Sequence, residues 1–316
     1  MIHSLYLADL QAKPAALRAV AERLDGWVWP IAPGQRVLLT GMGSSRFAAD
    51  TAARRLRRAG VHAVADIASI DASFPPAADL AVVGISASGG SHETLALLAA
   101  HRGVSTTIAL TNTPGLELPA AHTLLMHAEP EPGGVACRSY VHTLIALLQL
   151  ERQLTGGPVQ LAEAVVRAAD AVEHLLGDDA WLAATSDVLD GPHGTWVIGP
   201  AERLGNALQG ALMLREGPRR VADGCETGDW SHVDVYLTKS MDYRALLFPG
   251  SRHDAAATQW MRERGSRFVV FGRPSAEATA GAELVVRYPH DDDPLVALLV
   301  EVLAAELLSA RWWSAD

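Results

Sequence analysis

Short apolar runs alternate along the chain with longer stretches of helical periodicity. Residues 36–40, 60–65, 79–83 and 105–110 each form a brief, mostly apolar run rich in Val, Leu and Ala. Runs of that length read as strands buried on both faces, the pattern of a parallel sheet. An arginine-rich helix ending at Arg58 separates the first two, and an apolar-periodic helix over residues 95–100 separates the last two. Upstream, Leu10, Leu17, Val20 and Leu24 fall at helical spacing within residues 8–24, with Pro14 near the start, until Pro30 and Pro33-Gly34 break the chain.

The alternation then repeats. A long helix over residues 139–154 is stopped by Gly156-Gly157-Pro158, and residues 159–176 read as a connecting helix. Strands at 195–199, 244–248, 267–271 and 282–286 follow, interleaved with helices at 205–215 and 255–264 and ending in a helix at 294–313. Strand and helix in alternation predict an α/β fold, a parallel sheet flanked by helices and doubly wound, built twice. The shared order of elements reads as an internal duplication with little surviving identity, dividing the chain into residues 1–155 and 156–316.

Between the predicted strand at 79–83 and the helix at 95–100 lies Gly84-Ile85-Ser86-Ala87-Ser88-Gly89-Gly90-Ser91-His92-Glu93-Thr94. A serine- and glycine-rich loop opening a helix suits an anion. Backbone N–H groups and the positive end of the helix dipole point into it, hydroxyls add donors, and glycine lets a ligand approach. The same residues also fit an ordinary strand-to-helix turn with a capping serine.

Composition narrows the partners. With 316 residues and a formal net charge of -10, the chain lacks the basic surface that nucleic-acid phosphates require. The one basic cluster, Arg54-Arg55-Leu56-Arg57-Arg58, reads as a solvated helix face. Two cysteines, Cys137 and Cys225, make no disulfide framework or cysteine zinc site. The start, Met1-Ile2-His3-Ser4-Leu5, has no signal-peptide pattern, and no long uncharged apolar stretch predicts a membrane span; the expectation is a cytoplasmic protein. His92-Glu93 and the pair His122 and His127 lack metal-ligand spacing, so no metal is expected. Gly41-Met42-Gly43 is a weak dinucleotide match, and no cofactor is expected. His142 fits either a core histidine or a group near the ligand. Trp181, Trp196, Trp230, Trp312 and Trp313 read as packing or subunit contacts, with Trp230 close enough to His232 to touch a ligand.

Gly43-Ser44-Ser45 after the first strand, Ser86-Ala87-Ser88-Gly89 with Glu93-Thr94 after the third, and Val135-Ala136-Cys137 before a long helix resemble the signatures of the sugar isomerase (SIS) domain family. Leu10-Gln11-Ala12-Lys13-Pro14 resembles the opening helix of the two-domain isomerase half of glucosamine-fructose-6-phosphate aminotransferases. The resemblance implies two tandem SIS domains of flavodoxin-like winding. It also implies a sugar 6-phosphate held by Ser45, Ser86, Ala87, Ser88 and Ser91, with Gly43, Ser44, Val135, Ala136, Cys137 and Arg138 around the sugar. The corresponding place in the second half, Pro249-Gly250-Ser251, lacks paired serines, so one phosphate site per chain is expected.

For chemistry, Ala207-Leu208-Gln209-Gly210-Ala211-Leu212-Met213-Leu214-Arg215-Glu216 resembles the family helix whose last glutamate moves a proton at the sugar's second carbon. His232, sixteen residues further in Gly228-Asp229-Trp230-Ser231-His232, matches the family's ring-opening histidine, which in some members comes from the neighbouring subunit. The resemblance thus implies catalytic Glu216 and His232 in a homodimer. Three departures stand out: Gln209 and Met213 replace a glutamate and a lysine, Cys137 replaces a serine, and the family's tail lysine has no counterpart after Arg311-Trp312-Trp313-Ser314-Ala315-Asp316. As in the related N-acetylmuramic acid 6-phosphate etherases, this favours elimination. The expected reaction is dehydration of N-acetylglucosamine 6-phosphate or glucosamine 6-phosphate. Aldose–ketose isomerisation, deamination and a phosphosugar-binding sensor without turnover are the alternatives.

Overall fold

The computed structural model describes residues 2–71 and 73–315; Met1, Ala72 and Asp316, including the first and last residues of the terminal segments named above, lie outside it. In chain order the first elements are α1 (Ile2–Gln11), α2 (Lys13–Ala21), β1 (Arg36–Gly41), α3 (Ser44–Arg58), β2 (Ala63–Ile67), β3 (Leu80–Ile85), α4 (His92–His101), β4 (Thr106–Thr111), β5 (His122–Leu125) and α5 (Arg138–Thr155). They are followed by α6 (Leu161–Leu176), α7 (Ala180–Leu189), β6 (Thr195–Gly199), α8 (Leu204–Glu216), β7 (Ala222–Glu226) and α9 (Thr227–Trp230). The last are β8 (Arg244–Leu247), α10 (Asp254–Glu263), β9 (Arg267–Phe271), β10 (Leu284–Val286), α11 (Pro294–Val300) and α12 (Val302–Ala315).

Two five-stranded sheets result, ordered β2-β1-β3-β4-β5 and β10-β9-β8-β6-β7. Every strand pair is parallel. The order reverses once in each sheet, between β1 and β3 and between β6 and β8, which is where doubly wound sheets leave a crevice at their carboxyl edge. β3 is buried along its whole length, as its continuous apolar run predicts.

Two strands are absent from the sequence expectation. β5 and β7 are edge strands, and neither carries a long apolar run. β5 is four residues with no fully buried position, and β7 reads Ala-Asp-Gly-Cys-Glu. Gly224 in β7 lets α8 lie almost on the strand, since a Cβ there would stand 2.7 Å from the Ala207 carbonyl oxygen. The helix expected at 8–24 is two helices, with the first beginning at Ile2, and the helix expected at 294–313 is likewise divided near Glu301.

Contacts group the chain into two compact units. One, Ala15–Glu131 with Ala136–Val165, holds the first sheet; the other, Met1–Pro14, Pro132–Val135 and Val166–Asp316, holds the second. The division expected at 155/156 places α1 with the first sheet, whereas its contacts place it with the second. Tyr6 lies 6.0 Å from the Trp313 ring, and the buried Lys13 ammonium is ion-paired with buried Glu306 on α12. Trp230 is fully buried in the core of this unit, where its indole N–H donates to the Tyr243 hydroxyl at 2.7 Å and Trp196 stacks on the same tyrosine. It is a packing residue with no exposed face.

Candidate functional site

In the first unit the two serine loops meet at the reversal point of the sheet. Gly41 and Ile85 are paired in register at the carboxyl ends of β1 and β3, so the loops that leave them start side by side. A Cβ on Gly41 would stand 2.7 Å from the Ser45 Cβ and 3.0 Å from the Ile85 carbonyl oxygen. That glycine is therefore what allows Ser45 to close on the start of the second loop. Gly43 precedes α3 at φ +50, a left-handed conformation that glycine adopts without strain, and Ser44 and Ser45 form the first turn of the helix, half-buried.

The second loop holds its shape with its own hydroxyls. The Ser91 N–H donates to the Ser86 Oγ at 3.3 Å, and the Gly90 N–H to the Ser88 Oγ at 3.2 Å. Both oxygens act there as acceptors, leaving their hydroxyl protons for another partner. Ser91 differs: its Oγ caps α4 by accepting the Thr94 N–H and lies within hydrogen-bond distance of Glu93 and Thr94. The backbone N–H groups of Ala87 and Ser88 make no hydrogen bond among the described residues.

β4 supplies a brace that sequence patterns did not single out. The Ala87 carbonyl accepts from the Asn112 N–H at 2.9 Å, the Thr111 hydroxyl at 3.1 Å and the Thr113 hydroxyl at 3.3 Å. The Thr-x-Thr spacing at a strand end was the readable signal. The Glu93 carboxyl, at the start of α4, is held below its ordinary range by its own backbone N–H and by Ser91.

The third signature is organised by a residue the sequence did not flag. Glu131 Oε1 accepts the backbone N–H groups of Cys137, Arg138 and Ser139 at 2.9, 2.6 and 3.1 Å, so this carboxylate closes the N-terminus of α5. Cys137 is fully buried at the cap position, Ala136 is half-buried, and the Arg138 guanidinium donates to the Pro130 carbonyl. Val135 is buried as well and groups with the second unit. His142, on the next turn, donates from Nδ1 to the Met126 carbonyl and is buried, which pushes its pKa down to about 4. It is a neutral core histidine.

The equivalent loop in the second sheet is filled by the chain itself. Asp254 Oδ2 accepts the Gly250 N–H at 2.6 Å and the Ser251 N–H at 3.1 Å, occupying the place where the first sheet leaves its donors open. Ser251 three residues before Asp254 is a helix-start pattern that could have revealed this.

Glu216 ends α8, exposed, and its carboxylate accepts no hydrogen bond among the described residues. Desolvation of the carboxyl raises its pKa. One and two turns earlier, the positions that depart from the family pattern are buried: the Gln209 amide donates to the Met213 sulfur at 3.5 Å and the Tyr6 hydroxyl donates to it at 3.7 Å. His232 follows α9 in an exposed turn.

No helix among the described residues is long and apolar enough to cross a membrane. Residues 31–151 match the SIS domain family. A glutamine–fructose-6-phosphate aminotransferase (isomerizing) of Methanothermobacter thermautotrophicus is 30% identical over 235 residues, covering 71% of this chain but 39% of that protein, so the chain spans about two fifths of its relative. Among solved structures, the C-terminal domain of glucosamine-fructose-6-phosphate aminotransferase from Francisella tularensis superimposes with a TM-score of 0.80 at 18% identity, over 98% of this chain and 96% of that one. A tagatose-6-phosphate ketose/aldose isomerase from Escherichia coli gives 0.77 at 15% identity, over 97% and 92%. Residues 31–151, which carry the signature loops at the reversal point of the first of two doubly wound sheets, belong to the SIS domain family.

Proposed function

We propose that the chain is an enzyme acting on an amino-sugar 6-phosphate, and that its first step is removal of the proton on the sugar's second carbon. The observation that carries this reading is the loop at residues 86–91. It keeps two backbone N–H groups and two hydroxyl protons unengaged at a helix start, while the two comparable helix starts are filled by Glu131 and Asp254. A phosphate there, gripped by Ser45, Ser86, Ala87, Ser88 and the capped Ser91, fixes the substrate far from the reacting carbon. Gly43, Ser44, Val135, Ala136, Cys137 and Arg138 are the proposed surroundings of the sugar.

Glu216 is the proposed base. Its raised pKa brings it towards the working pH, where a general base contributes about 100- to 10,000-fold. Its carboxylate takes the second-carbon proton from the open-chain aldehyde, and the electron pair moves onto the first carbon's carbonyl oxygen, giving an enolate that keeps the nitrogen on the second carbon. Return of that pair expels the 3-hydroxyl, which leaves as water after gaining a proton. His232 is proposed to assist ring opening. The neutral, buried Gln209 and Met213 stand where the resembled aminotransferase helix carries a glutamate and a lysine, and that loss of charge supports elimination over amine transfer. Reprotonation at the first carbon, giving aldose–ketose isomerisation, is the second reading and needs only the same Glu216. A homodimer is the proposed assembly.

Incubation with glucosamine, N-acetylglucosamine and fructose 6-phosphates, followed by mass spectrometry, separates these outcomes. A product lighter by the mass of water supports dehydration, an isomer supports the second reading, and binding without any product rejects catalysis.

A further inference from the structure

The carboxyl edge of the second sheet carries a cavity that the sugar-phosphate reading does not use. It measures about 510 Å³, within the range of small-molecule sites, and every residue lining it belongs to the unit built on that sheet. Its walls are the loops after β8, β9 and β10, together with Arg203 just before α8 and Glu301 between α11 and α12.

Three features define what fits there. Tyr288 is 5% exposed, and its buried hydroxyl has no hydrogen-bond partner among the described residues. The charged groups nearest the phenol include Glu301, Arg203 and Asp291, which line the same cavity. A buried hydroxyl left without a partner costs stability, and a ligand oxygen beside it recovers that cost. Next, Gly250 and Gly272 stand at φ +129 and +120. A Cβ on the first would lie 2.9 Å from the Arg203 guanidinium, so glycine keeps the space above that group clear, while a Cβ on the second would only touch the Tyr288 hydroxyl at 3.6 Å.

Charge gives the third constraint. Arg203 is paired with Glu301 at 2.9 Å, Arg273 with Asp292 at 3.4 Å, and Asp291 with Arg287. The two guanidinium groups and three carboxylates of the lining are thus each already in an ion pair, which leaves no uncompensated positive charge to attract a phosphate dianion. Paired groups still offer N–H donors and carboxylate lone pairs in alternation, the pattern that hydroxyl groups require.

We infer that this cavity binds an unphosphorylated sugar or amino sugar, with the Tyr288 hydroxyl and the paired Arg273, Asp291 and Asp292 sharing its hydroxyls. The site is separate from the loop at residues 86–91 and does not depend on the role given to Glu216.

The test is saturation-transfer NMR with calorimetry on the full chain, using glucose, glucosamine and N-acetylglucosamine as probes. At least one should bind. Tyr288→Phe keeps the ring and removes one oxygen, and should weaken that binding about three- to tenfold without lowering the melting temperature. Ser88→Ala, in the other loop, should leave it unaltered. Should Tyr288→Phe not fold, Asp292→Ala, at an exposed position, should show the same weakening. Absence of binding by all three sugars, binding unchanged in the folded variant, or binding lost in Ser88→Ala would overturn the inference.

Discussion

Glu216 and His232 stand at opposite edges of one sheet. α8 runs antiparallel to β6 and ends in Glu216 at the amino edge, whereas His232 follows β7 and α9 at the carboxyl edge. Thirteen residues of α8 at roughly 1.5 Å each carry the chain about 20 Å from the start of that helix to Glu216. A sugar carbon beside one of them in the same copy therefore lies about a helix length from the edge that carries the other.

If both serve one substrate across a two-fold dimer, separately inactive variants should complement each other. Glu216→Gln and His232→Ala proteins, unfolded together and refolded, should regain about a quarter of wild-type activity, because half the dimers are mixed and each mixed dimer holds one intact site. A mixture as inactive as its components rejects the shared site.

Activity should also report the environment of Glu216 through pH. Desolvation raises its pKa, so the base is lost by protonation as pH falls, at a pH above the ordinary glutamate range. The acid limb of the kcat profile should sit correspondingly high. Glu216→Gln should lower kcat about 100- to 10,000-fold and Glu216→Asp should keep a limb, since only the latter can still ionise.

The serines should separate by role. Ser88→Ala removes a hydroxyl proton left for a ligand and an oxygen that accepts the Gly90 N–H at an exposed position, so KM for a sugar phosphate should rise about tenfold with at most a small fall in melting temperature. Ser91→Ala removes the α4 cap and should cost about 1 kcal/mol of stability. Denaturant titration beside steady-state kinetics distinguishes the two.

Much of this architecture is written in local patterns. Eight of the strands are apolar runs, six of them largely buried and two, β2 and β10, half-exposed at sheet edges, and the serine loops follow two of the buried ones directly. β5 and β7 escaped because an edge strand has one neighbour and needs no apolar run; in β7 it is Gly224, required by the closeness of α8, that marks the strand. The residues that fill helix starts were legible to different degrees. Asp254 lies three positions after Ser251, a spacing that local rules recognise. Glu131 reaches Cys137 across Pro132-Gly133-Gly134, and only the folded loop brings the carboxylate back. The placement of Lys13 against Glu306, nearly three hundred residues apart, is invisible to any window.

His142 makes a stability prediction whose sign follows from burial. Its pKa is pushed from 6.5 to about 4, so the folded chain resists a proton that the unfolded chain takes up. Stability is full above the unfolded value and is lost as pH falls from about 6.5 through 4, by about 3 kcal/mol over that range. Urea midpoints between pH 7 and 4 should fall more steeply for the wild type than for His142→Gln; parallel curves would refute this assignment.

Three donors from the end of β4 and the segment after it hold the carbonyl of Ala87, and that brace has a thermodynamic corollary. The loop's backbone is already in its final shape before any anion arrives, so little ordering entropy remains to oppose association. Phosphate capture should then be preorganised, driven by enthalpy and fast. Loosening the brace at Thr111 or Thr113 should slow and weaken capture, although neither hydroxyl belongs to the proposed phosphate grip.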